Sequence, residues 1–202
     1  MKRSTQTHDK PLMVKKSTKM SNSWTNCLFH AIKDPNLIVL KDQLITIIKD
    51  KYPKSRHHFM VIPNEDIGIN SIEDLSKCHV QLIDYMTDKG NQLSHKLNTN
   101  IAFRFGFHRI PSLKPLHLHV ISQDFDSKYL KTKKHYNSFT TNFFIDSKTV
   151  IDNLNQFDKV EALTDEECNH LLKQEIVCHF CRLKIANIPQ LKTHLVKHFL
   201  KS

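Results

Sequence analysis

Leu116-His117-Leu118-His119-Val120-Ile121 alternates imidazole with apolar side chains. Successive strand side chains point to opposite faces, so this spacing sets His117 and His119 side by side on one face. Buried imidazoles need hydrogen-bond partners, and a cluster of them costs stability unless it is used. One histidine on an apolar strand is ordinarily a satisfied core residue. Two at i and i+2, with His58 opening another apolar run and His108 beside a turn, point to a reaction site. Neutral imidazole is nucleophilic at physiological pH, and adjacent imidazoles suit displacement at phosphorus.

The strand has neighbours of the same kind. Residues 37–40 and 44–48 are rich in β-branched side chains, residues 58–62 form an apolar run stopped by Pro63, and residues 101–108 alternate. Ser71-Ile72-Glu73-Asp74 has capping-box spacing and predicts the start of a long helix through Leu75, Cys78, Leu82, Met86 and Leu93. A short helix is expected over residues 23–33. A second is expected over residues 147–163, before an acidic loop at Asp165-Glu166-Glu167. This is an α+β pattern, an antiparallel sheet with one main packing helix.

Cys178-x-x-Cys181 is followed after twelve residues by His194, and after three more by His198. That is the ligand spacing of a Cys2His2 zinc site, with Pro189 near the first turn of a helix carrying both histidines on one face. Zinc would supply folding energy, because the segment has too little apolar surface to fold alone. A small ββα-type finger is therefore expected at the carboxyl end.

Composition narrows the partner. Thirty Lys+Arg against 20 Asp+Glu leave a formal charge of +10 in 202 residues, which favours a polyanion. No apolar run is long enough to span a bilayer, so a membrane partner is not expected. Three glycines cannot build a glycine-rich phosphate cradle. Five cysteines, two of them in the metal spacing, fit a reducing compartment. Residues 1–22 are basic and without apolar periodicity, and read as a mobile tail. The expected organisation is a tail over 1–22, a catalytic domain over 23–163, and a linker with the finger over 164–202.

Pro111 through Ser127, with its Leu-His-Leu-His-Val-Ile core, resembles the histidine-triad segment of the aprataxin family of DNA deadenylases. Residues 50–58, Phe105-Gly106-Phe107-His108, residues 133–139 and the finger resemble that family too, from about Trp24 to the end. The forkhead-associated domain that many vertebrate members carry is expected to be missing. The resemblance implies that His117 attacks the α-phosphorus of a 5′-adenylate on DNA and forms a covalent adenylyl-histidine. Loss of 5′-phosphate DNA and then hydrolysis to AMP would follow, with no catalytic metal. It further implies that His119 and His58 bind phosphoryl oxygens, that His108 gives a proton to the leaving group, and that Ser112 and Lys54 contact phosphate. Asp50 would hold the ribose. Position 115 is proline where the family pattern starts with histidine.

For DNA, the resemblance implies Trp24 as a wedge against the terminal base pair. Lys131, Lys133, Lys134, His135, Asn137 and Ser138 would form one basic surface, and Lys184, Lys192 and Lys197 of the finger another. A monomer acting in the nucleus on nicked or broken duplex is expected. Two other readings remain open: a histidine-triad hydrolase of small nucleotides, and a DNA-binding protein whose catalytic function has decayed.

Overall fold

The computed structural model describes residues 28–200. The basic tail of residues 1–22, Trp24 and the first part of the expected helix over 23–33 lie outside the described residues. The described chain opens with one helical turn, α1 (Leu28–Ala31). Six strands follow through the chain: β1 (Ile38–Lys41), β2 (Ile45–Lys49), β3 (His58–Pro63), β4 (Phe103–His108), β5 (Leu118–Ser122) and β6 (Phe144–Asp146). They form one antiparallel sheet in the order β1-β2-β3-β5-β4-β6.

Register decides what each face carries. His119 lies opposite Met60 on one side and Gly106 on the other, so His58, Met60, His119 and His108 share a face. The opposite face presents Phe59, Val61, Leu118, Val120 and Phe107, which pack with Ile83 and Met86 of α2 (Val80–Lys96). Each such side chain, buried completely, contributes about 1.5–3 kcal/mol. Met86→Ala, at a site with no exposure, would cost about 2–5 kcal/mol. Gly106 is required by close approach, because a Cβ there would stand 2.2 Å from the Ile145 carbonyl oxygen of β6.

The capping box at Ser71 exists, but it does not start the long helix. Ser71 and Asp74 cap a single 3₁₀ turn (Ile72–Asp74), a second turn follows (Lys77–His79), and α2 begins only at Val80. Extended backbone at Leu75 and Ser76 breaks the expected run, so Leu75 is buried by a turn and Cys78 is left exposed. Two further expectations are corrected. Residues 133–140, expected only as a basic segment, form a helix, α3 (Lys133–Thr140), capped by Thr132. The Asp165-Glu166-Glu167 stretch is no loop but the first turn of α5 (Asp165–Lys173), with a capping box between Thr164 and Glu167. The helix before it, α4 (Ser147–Phe157), stops at left-handed Asp158 rather than reaching residue 163.

The carboxyl-terminal segment is a two-stranded hairpin, β7 (Ile176–Val177) and β8 (Lys184–Ile185), followed by α6 (Ile188–Phe199). Its apolar side chains are not a separate core. Ile176, Ile188, Leu191 and Leu195 are buried in one cluster with Ile121 of β5, Tyr136 and Phe139 of α3, and Phe144 of β6. No helix among the described residues is long and apolar enough to cross a membrane.

Candidate active site

One cavity of about 670 Å³ opens on the sheet face that carries the imidazoles. His58, His108, His117 and His119 line it, together with Asp50, Lys54 and Ser112, so the structure brings all seven expected residues together. Lys134, His135 and Ser138 of α3 line it as well.

The imidazole tautomers follow from their partners. The ring of His117 lies 3.0 Å, through Nδ1, from the Pro115 carbonyl oxygen, which can only accept. Its proton is therefore on Nδ1, and Nε2 keeps a lone pair. The Lys54 amide donates to His58 Nδ1 at 3.2 Å, so the His58 proton sits on Nε2 and is donated to His119 Nδ1 at 3.0 Å. His119 must then carry its proton on Nε2, which is buried with no partner. An unpaired buried donor costs about 1–3 kcal/mol, and an anionic oxygen would satisfy it.

Burial sets the charge state. It pushes His117 below the ordinary histidine value, against the opposing pull of the Pro115 carbonyl and Asp50. His58 falls to about 4 because burial outweighs the Asp50 charge. The Asp50 carboxylate, 3.4 Å from His58 Nδ1, therefore faces a neutral ring and not an ion-pair partner. Burial and the neighbouring imidazoles hold His119 and His108 well below their usual range. Lys54 is lowered too, by burial, with Asp50 partly offsetting it. The result is a neutral imidazole at His117, with its Nε2 lone pair free and the uncommitted His119 Nε2–H beside it.

Phe139 supplies the floor. Its ring centroid lies 5.2 Å from His58, 4.6 Å from His108 and 5.3 Å from His119. Sequence reasoning placed it only within the stretch 133–139, with no role of its own. It missed Met60, Phe143 and the α5 residues Asp165, Cys168, Asn169 and Leu172, which also line the cavity. Nothing local marks them, because α5 reaches the cavity only through folding.

The expected DNA surface divides. Lys131 and Lys133 border a second groove with Lys184, whose ammonium is 2.7 Å from Glu175. Lys197 is exposed. Asn137 is not on the surface: it is 1% exposed, and its amide donates to the Leu172 and Gln174 carbonyls, tying α3 to the end of α5. Lys192 is half-buried, donates to the Ser127 carbonyl at 2.6 Å, and lies in a third groove beside Asp124 and Asp126.

The metal ligands converge as expected. Cys178, Cys181, His194 and His198 present donor atoms within 4.8 Å of one another. Cys178 Sγ and His198 Nε2 are 3.5 Å apart, Cys181 Sγ and His194 Nε2 3.2 Å, and the two imidazole nitrogens 3.1 Å. A tetrahedron with zinc bonds of 2.0–2.3 Å has edges of about 3.3–3.8 Å, within a few tenths of an ångström of these distances, and the two-thiolate, two-imidazole donor set is that of a structural zinc. Between the cysteines, His179 reaches the other way, meeting the Tyr136 hydroxyl at 2.8 Å and the Gln123 carbonyl at 3.1 Å.

Comparison with known proteins agrees with this architecture. A family profile described as "Scavenger mRNA decapping enzyme C-term binding" matches residues 23–135, and one described as "C2HE / C2H2 / C2HC zinc-binding finger" matches residues 140–201. Aprataxin of Gallus gallus is 42% identical over 180 residues, which are 88% of this chain and 56% of that protein. Aprataxin of Danio rerio is 43% identical over 181 residues, 87% and 53%. The chain thus spans about half the length of these relatives. The crystal structure of the aprataxin ortholog Hnt3 from Schizosaccharomyces pombe has the same fold, with TM-score 0.67 at 20% identity over 86% of this chain and 90% of that one. The same ortholog in complex with DNA gives TM-score 0.61 at 19% identity over 86% and 92%.

Proposed function

As the chain belongs to the scavenger decapping enzyme C-terminal family and is a homologue of the aprataxins, we propose that it hydrolyses 5′-adenylates from DNA ends. The observation that carries the reading is His117: neutral, buried at a cavity floor, its Nδ1 proton given to the Pro115 carbonyl and its Nε2 lone pair free.

In this reading Nε2 attacks the α-phosphorus, and a P–N bond forms as the bond to the bridging oxygen breaks. The 5′-phosphate of DNA leaves with the electron pair. Water then attacks the same phosphorus, the P–N bond breaks, and AMP departs from regenerated His117. The uncommitted Nε2–H of His119 donates to a phosphoryl oxygen, where charge develops in the transition state. Asp50 holds the ribose hydroxyls, while Lys54 and Ser112 neutralise and orient phosphate. His108 faces the leaving oxygen. These residues use no metal ion, and the zinc at the finger has a structural role.

Supporting DNA as the partner are the net charge of +10, the lysines around α3 and the finger, and the DNA complex known for the ortholog. A monomer acting on nicked duplex in the nucleus follows from the same reading, with Trp24, outside the described residues, as the wedge. The test measures AMP release from adenylated nicked duplex and from a free adenosine dinucleotide, in wild type and His117→Ala. Release from the nick by wild type alone supports the proposal. Release only from the dinucleotide makes the chain a small-nucleotide hydrolase, and equal inactivity of both proteins makes it a binding protein.

A further inference from the structure

His108 is half-buried, and its Nε2 is buried without a partner, so a polar contact there does not fix the ring. Its remaining nitrogen has the backbone hydrogen bond at Ser138, and its faces are aromatic. Phe139 lies at 4.6 Å, Phe143 at 5.3 Å and Phe144 at 5.9 Å, centroid to centroid. Phe139 and Phe144 belong to the core shared by sheet and finger. Phe143 does not. It is buried in a separate cluster with Cys168 and Leu172 of α5.

That helix is clamped in place. Asn137 holds the carbonyls at its end, and the Arg109 guanidinium donates to the Asn142 and Glu161 carbonyls on the approach to it. The Arg109 amide, next to His108, donates to the Phe143 carbonyl. A wall from α5 thus meets the ring of His108 through Phe143.

We propose that Phe143, backed by Cys168 and Leu172 of α5, is a positioning residue that holds His108 against His119 in the cavity. His108 and His119 have ring centroids 4.5 Å apart, so a small rotation of one moves its nitrogen relative to the other. Phe143 also keeps water from His108. The groups that face His108 are His117, His58 and Lys54, as well as His119, and burial is the first cause of its low basicity. Opening the wall therefore raises its titration midpoint, because water restores solvation of the charged ring.

The test has two arms on the zinc-loaded full chain. The first follows the His108 imidazole resonances against pH in wild type and Phe143→Ala. The midpoint is expected to rise toward the ordinary value, with Phe143→Leu restoring the wild-type behaviour. The second rests on the hydrolase reading above: Phe143→Ala is expected to lower kcat on adenylated nicked DNA about tenfold or more with KM changed less than about twofold. Leu172→Ala gives a smaller shift of the same kind, and carries the test if Phe143→Ala does not fold. An unmoved His108 midpoint in folded protein overturns the proposal. So does a loss of kcat that only tracks the folded fraction. If wild type releases no AMP, the hydrolase reading fails while the resonance arm still decides this one.

Discussion

His117 and Pro115 are joined by a hydrogen bond of 3.0 Å, from the ring Nδ1 to a backbone carbonyl two residues earlier. The family pattern has histidine where this chain has Pro115, yet the contact that sets the His117 tautomer uses only the backbone. The change of side chain leaves that function intact. On the proposed reading His117→Ala removes the attacking nitrogen and keeps the neighbouring rings, so AMP release is expected to fall by about a thousandfold or more. Burst kinetics with labelled adenylate would register it, and a loss under tenfold would remove the covalent role.

The buried imidazoles make folding depend on pH. Their folded values lie below the unfolded value of 6.5, His58 at about 4. The unfolded chain therefore binds more protons as pH falls, and stability present above pH 6.5 is lost between there and 4. His58 alone accounts for about 3 kcal/mol. Urea midpoints at pH 7 and pH 5 should differ accordingly, and a His58→Asn variant should show a shallower dependence.

Zinc removal should reach beyond the finger. Ile188, Leu191 and Leu195 are buried against Phe139 and Phe144, so unfolding α6 strips one side of that core. Chelation or Cys181→Ser is expected to lower Tm cooperatively, zinc in finger peptides contributing about 10–16 kcal/mol. A calorimetric scan with two independent transitions would mean that the core is not shared.

Lysines of similar sequence context should behave differently. Lys134, exposed on the cavity rim, should reduce the salt slope of DNA affinity by about one unit when replaced by alanine. Lys192→Ala, which loses the Ser127 carbonyl contact, should leave that slope unchanged and lower stability. Titrations at several salt concentrations separate the two.

Asn137→Ala should act on stability. It strips a buried amide from two carbonyls and should cost about 1–3 kcal/mol in urea unfolding, with DNA affinity unchanged in the folded fraction. Weakened DNA binding at full stability would return the residue to the surface role.

Much of the site was legible because its signals are local. Alternation at residues 116–121 defined a strand and its imidazole face, and the spacing of Cys178, Cys181, His194 and His198 defined a metal site. Those patterns are set by backbone periodicity. The misreadings were places where a local signal had two outcomes. Ser71 caps a turn as well as a helix, and the acidic run at 165–167 suits a helix start as well as a loop. Asn137 read as a surface group, since burial is invisible in a polar segment.

Sequence alone determined the paired imidazole face, its strand, the zinc-type ligand spacing and the basic character of the chain, because each depends on residue type and short-range spacing. Only the tertiary structure decided that Pro115 offers its carbonyl to His117, that His58 donates to His119, and that α5 lines the cavity with Cys168 and Leu172 packed against Phe143. The longest of those relations joins positions 61 residues apart, and it arises because packing a sheet against helices brings distant side chains within a few ångströms.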